Sequence, residues 1–221
     1  MSIKENIAKV RARIAAAAQR AGRDPAEIKL VAVVKNVPLE QIFAALDAGL
    51  TEIGENRVQQ AAGRVKTIRE KYPNTVVHMI GHLQRNKVRQ ALDTFDIIQS
   101  LDSERLAREL SEKTGKRIVP VLIEVNVSGE ASKYGLPAAG VSGLIAAISG
   151  FKNLKIEGFM TIAPLTGDPR TVRPYFHQLK QISAKFPHFN TLSMGMSDDF
   201  EAAIAEGATL VRIGRAIFQG A

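Results

Sequence analysis

The chain has 221 residues, 45% of them apolar and 24% charged, with 30 basic and 22 acidic side chains giving a formal charge of +8. That length suits one domain with a substantial core, and the absence of cysteine excludes disulfides, thiolate chemistry and cysteine-built zinc sites, which favours the cytoplasm. Aromatic residues make up only 5%, Trp is absent and the basic residues are spread along the chain, so a nucleic-acid partner is not expected and the charge hints at a small anionic ligand.

Ile3, Ile7, Val10 and Ile14 recur at helical spacing among Lys4, Lys9, Arg11 and Arg13 and predict an amphipathic helix to about Gly22. Met1 opens it with no apolar signal core, and no later apolar run is long enough for a bilayer, so no membrane is expected. Leu30–Val34 then reads as a strand buried on both faces, with Lys35 at its end. Such a lysine either snorkels to solvent or keeps a neutral amine able to attack a carbonyl. Pro38 opens a helix that stops at Gly49.

From there a short apolar strand, a polar loop and an amphipathic helix keep alternating. Strands are predicted at 52–53, 76–80, 96–100, 118–126, 156–160, 191–194 and 209–213, with helices after each, among them 102–114, 171–186 and 199–206. The longest polar connections are Ser128–Pro137 and Pro164–Arg170. Eight strand–helix units predict an α/β fold, a closed (β/α)8 TIM barrel with an additional N-terminal helix, in one domain spanning 1–221. An open doubly wound sheet is the alternative, and the lack of G-x-G-x-x-G after the first strand weighs against it.

Barrels of this kind work at the C-terminal ends of their strands. Lys35, Glu55, Asn56, His82, Ser100, Asn126, Met160, Thr161, Ser193–Ser197 and Arg212–Arg215 fall on that rim, a polar ring around Lys35. Gly195 and Ser197 precede one helix, and Gly214 and Arg215 begin another turn. This suits a phosphate site, although Gly195 as a plain turn and Ser197 as a helix N-cap are also open. Arg212 lies one residue inside its strand end, facing either an anion or acceptor in the barrel mouth or an internal carboxylate such as Glu157. His78 and His82 lack a third ligand, so no metal is expected, and no nucleophile elbow supports a hydrolase. Arg85, Lys87 and Arg89 read as a solvated helix face.

Several motifs resemble those of a known family: Ala32-Val33-Val34-Lys35, Gly54-Glu55-Asn56-Arg57-Val58-Gln59, His78 through Lys87, Glu124-Val125-Asn126-Val127-Ser128, Ser132-Lys133-Tyr134-Gly135, Gly158-Phe159-Met160, Leu192 through Asp199 and Val211-Arg212-Ile213-Gly214. From end to end the chain resembles the pyridoxal 5'-phosphate homeostasis proteins. It departs from them at Val34 and Asn36, where small hydroxyl residues are common, and at Val77, where Trp is common. The resemblance implies a barrel like the N-terminal domain of alanine racemase, with pyridoxal 5'-phosphate held as a Schiff base on Lys35. It also implies Arg212 at the pyridine nitrogen, Ser197, Gly214 and Arg215 around the phosphate, and Asn56 and Met196 in the same pocket.

An arginine at the pyridine nitrogen leaves it unprotonated and weakens carbanion stabilisation. In the resembling racemase the second proton carrier comes from a separate domain, and this chain ends with the barrel. The expectation is therefore a monomeric carrier and buffer for the cofactor that supplies apoenzymes and is not itself a strong catalyst. The alternative is a weak amino-acid racemase, with Tyr134 or His82 as second base.

Overall fold

The computed structural model describes residues 2–164 and 168–219. Helix α1 (Ile3–Arg20) opens on a reciprocal cap, in which Ser2 Oγ accepts from Glu5 N and Glu5 Oε2 accepts from Ser2 N at 2.8 Å. Its apolar stripe, Ile7, Val10, Ile14 and Ala17, is buried as the spacing predicts. Parallel strands β1 (Lys29–Val33), β2 (Glu52–Glu55), β3 (Val76–Met79), β4 (Ile97–Leu101) and β5 (Val119–Asn126) then alternate with α2 (Leu39–Asp47), α3 (Val58–Lys71), α4 (Val88–Thr94) and α5 (Glu104–Thr114). A two-residue strand, β6 (Leu136–Pro137), pairs with the end of β5 inside the predicted polar loop. The ring is completed by α6 (Val141–Ile148), β7 (Leu154–Met160), α7 (Arg173–Ala184), β8 (Thr191–Ser193), α8 (Phe200–Ala205), β9 (Leu210–Ile213) and α9 (Arg215–Phe218).

Strands run β1-β2-β3-β4-β5-β7-β8-β9, and β9 returns to β1 with Val31 opposite Arg212. Eight parallel strands therefore close a (β/α)8 barrel, and the open-sheet alternative is excluded. Each strand contributes outward apolar residues to the layer beneath the helices. Phe159 on β7, for instance, packs with Phe186 and Phe189 at centroid distances of 5.8 and 6.1 Å. Fully burying each such side chain stabilises the fold by roughly 1.5–3 kcal/mol. Helix α1 lies against α2, α8 and α9, where Asn6 Nδ2 donates to Ile217 O at 2.9 Å. Of the predicted loop Pro164–Arg170, residues 165–167 lie outside the described residues. Among the described residues no helix is long and apolar enough to cross a membrane.

Candidate functional site

A cavity of about 680 Å³ opens at the C-terminal ends of the strands. Lys35, Asn56, Met196 and Arg212 share its wall with Arg57, Gln84, Lys87, Glu124, His82 and Tyr134. Lys35 also borders an adjoining cleft with Gly214 and Arg215. One expectation is corrected here: β1 ends at Val33, and Lys35 is exposed in the turn that follows. The strand itself is fully buried only at Val31 and Ala32, followed by Val34. The turn is made by Asn36 at φ 58°, a left-handed conformation that Asn tolerates through its short polar side chain. Arg64 of α3 clamps this turn, donating to Val34 O at 3.3 Å and to Val37 O, while its other nitrogen pairs with Glu55 at 3.0 Å.

Arg212 is 3% exposed and points inward. Its guanidinium donates to Ser193 Oγ at 2.6 Å and to Thr161 O at 2.8 Å. The suggested pairing with Glu157 is incorrect, since Glu157 meets Lys155 at 3.1 Å instead. Burial brings the Arg212 guanidinium down to about 10, partly offset by Glu124 and Asp199, so it remains a cation and a donor at neutral pH.

Behind Arg212 runs a polar chain that sequence patterns did not reveal. Ser193 Oγ donates to Gln99 Oε1 at 2.7 Å, Gln99 Nε2 meets His78 Nδ1 at 2.8 Å, and His78 Nε2 meets Glu52 at 2.9 Å. Because Gln99 can only donate through that nitrogen, His78 carries its proton on Nε2 and donates to the carboxylate. Every donor thus faces the same way, from Arg212 across the barrel interior to Glu52. His78 has both ring nitrogens committed to this chain.

The phosphate-like segment also gathers. Ser197 Oγ accepts from Ala216 N at 3.3 Å, so Ser197 serves the start of α9 and is not the N-cap of α8. Asp199 Oδ1 instead takes Met196 N at 2.6 Å. Gly195 sits at φ 92°, and a Cβ there would lie 2.7 Å from Ala203 Cβ, so α8 closes directly on this loop. At Gly214 a Cβ would meet Val33 O at 3.2 Å, which brings the β9–α9 turn beside β1 and Lys35. The Arg215 guanidinium is exposed and paired with Asp198. Two members of the expected ring turn away: Asn126 organises its own loop through Glu130 O and Gly129 N, and Ser100 Oγ is buried without a hydrogen-bond partner. Lys87, by contrast, is half-buried at the cavity wall, not on a solvated face. His82 stacks on Tyr134 at 4.1 Å, with its Nδ1 3.4 Å from Asp102.

A sequence profile for the N-terminal domain of alanine racemase matches residues 5–221. A protein of Pseudomonas aeruginosa named pyridoxal phosphate homeostasis protein is 43% identical over 220 residues, covering 98% of this chain and 95% of its own. The chain belongs to that family. Its member from Vibrio alginolyticus, of the same name, is 40% identical over 225 residues, with 98% and 97% covered. The structure of PipY from Synechococcus elongatus with pyridoxal phosphate bound superposes on this member of the family with a TM-score of 0.84 at 31% identity, covering 98% of this chain and all of that one.

Proposed function

We propose that this protein binds pyridoxal 5'-phosphate in the cavity beside Lys35 and acts in the homeostasis of that cofactor as a carrier and buffer, without strong catalytic activity. The observation that carries the reading is Arg212, a buried cation and obligate donor at the floor of a cavity whose wall also bears Lys35. Lys35 has no ion pair among the described residues, so its amine is available. Bound pyridoxal phosphate supplies an aldehyde that condenses with a primary amine and a pyridine ring whose nitrogen can accept a hydrogen bond. The donor set fits both. Lys35 would hold the aldehyde carbon covalently, Arg212 would face the ring nitrogen as donor, and Ser197, Gly214 and Arg215 would surround the phosphate, with Asn56 and Met196 lining the pocket. The polar chain behind Arg212 keeps the guanidinium oriented, and no carboxylate stands in its place to protonate the ring.

Delivery to apoenzymes is supported by the cavity rim: of the large apolar side chains exposed among the described residues, Tyr134 and Ile162 both border the mouth. We read the protein as a cytoplasmic monomer; the third such side chain, Ile118, lies apart from the cavity lining that includes the other two. A weak racemase remains the second reading, because His82 and Tyr134 do line the cavity. The deciding experiment is the absorption spectrum after incubation with pyridoxal phosphate, before and after borohydride, with mapping of the reduced adduct. A visible band that becomes a fixed adduct on Lys35, and is absent in Lys35→Ala, is expected. A protein that stays colourless overturns the reading. Solvent deuterium entering the α-position of alanine, lost in Lys35→Ala, would favour the racemase.

A further inference from the structure

One acid in the cavity wall has no role in holding the cofactor. Glu124 of β5 is 5% exposed, and its Oε2 is buried with no hydrogen-bond partner. A buried carboxyl is costly to ionise unless a donor meets it. Neither nearby donor reaches it: Arg212 turns N–H groups to Ser193 and Thr161, and His82 Nδ1 lies 3.4 Å from Asp102 with no hydrogen bond to Glu124. Burial, with repulsion from Asp102, pushes the Glu124 carboxyl up to about 7, and the attraction of Arg212 only partly offsets this.

The same cavity is lined by Lys35, Arg57 and Lys87, none of them in an ion pair among the described residues. An unpaired acid and unpaired bases in one cavity are complementary to a zwitterion. The cavity volume of about 680 Å³ falls within the range of sites that take whole small ligands, so there is room beyond a single contact. The acid needs a cationic N–H donor, and the bases need an anion a few bonds away. An amino acid supplies both.

We propose that Glu124 seats the ammonium group of a small zwitterion of the amino-acid class, in the cavity shared with Lys35, with the carboxylate of the ligand met by Lys87 and Arg57. The ligand keeps its ammonium proton, and Glu124 gives up its own proton to solvent as the ion pair forms. The site does not depend on the pyridoxal phosphate reading.

Isothermal titration of the full-length, cofactor-free protein with L-alanine, glycine and L-lysine tests it, with lactate as the control lacking an ammonium. At about pH 6.5 at least one amino acid binds with release of protons, read as a heat that varies with the ionisation enthalpy of the buffer. Glu124→Gln weakens that binding by roughly 10-fold or more and removes the buffer dependence. Glu124→Asp keeps the proton release at reduced affinity, which shows that a carboxyl and not the fold is responsible. Lactate shows no dependence on Glu124. The proposal is overturned if no amino acid binds at millimolar concentration, or if Glu124→Gln binds as the parent does. A protein that never develops a chromophore would sink the cofactor reading and leave this titration unaffected.

Discussion

Glu124 and Arg212 meet opposite solutions to burial in one cavity. Arg212 keeps its charge because Ser193 and Thr161 O receive its N–H groups, whereas Glu124 has no donor and holds its proton to about 7. The folded protein therefore binds a proton that the unfolded chain has already released above its ordinary value of 4.5. Stability contributed by this group is full below about 4.5 and is lost as pH rises to about 7. The span corresponds to roughly 3 kcal/mol at most. Urea unfolding between pH 5 and 8 is expected to show a falling stability for the parent and a flatter profile for Glu124→Gln, which becomes the more stable protein at the upper end. Parallel profiles would refute the assignment. Glu55 and Asp199 are also pushed up by burial and slope the same way, so the difference between the two proteins isolates Glu124.

At the level of elements, α3 sets the position of Lys35 from outside the barrel. Arg64 reaches over the β1–α2 turn to Val34 O and Val37 O while pairing with Glu55, which is 1% exposed. Replacing Arg64 by Ala leaves that carboxyl buried without its cation and frees the turn. A loss of about 2 kcal/mol in unfolding free energy is expected, below the cost of breaking a fully buried pair because Arg64 is partly exposed. Affinity for pyridoxal phosphate, followed by its absorbance, is expected to fall with it. An unchanged affinity would mean that the turn holds its shape alone. None of this was visible in the sequence, because Arg64 sits on an amphipathic helix like any other surface cation. The strands and helices were legible, since 3.6-residue and continuous apolar patterns mark each one, and eight such units have one natural closure. Strand ends alone pointed to Lys35, Asn56, His82, Met196 and Arg212 on the cavity wall, but not to the departure of Ser100 and Asn126 from it. Exposure of Lys35 was one of two open readings, but its place beyond the strand in a turn did not follow, because a run of apolar residues does not tell where the last pairing ends and a left-handed Asn36 begins. The chain Glu52–His78–Gln99–Ser193 was hidden for a related reason: its members come from separate strands and meet only inside the closed barrel.

For the molecule as a whole, α1 is the element added to the eightfold repeat, and it rests on the far end of the segment that carries Gly214 and Arg215. Asn6 is 5% exposed and donates to Ile217 O, a carbonyl in the last turn of α9 with no other donor among the described residues. Arg13 adds an ion pair to Glu201 of α8 at 3.0 Å, so the same helix also braces the neighbour of the Gly195–Ser197 loop. If α9 is held from below by α1, the turn at its start is held as well, and the end of the site proposed for the phosphate depends on a helix distant in sequence. Asn6→Leu keeps the bulk and removes the donor. It leaves a buried carbonyl unsatisfied, at a cost of about 1–3 kcal/mol. The expected result is a lower urea midpoint together with weaker binding of both pyridoxal phosphate and its aldehyde-free analogue pyridoxine phosphate, because the loss falls on the end proposed for the phosphate and not on Lys35. A lower midpoint with both affinities intact would show that α1 stabilises the barrel without shaping the site.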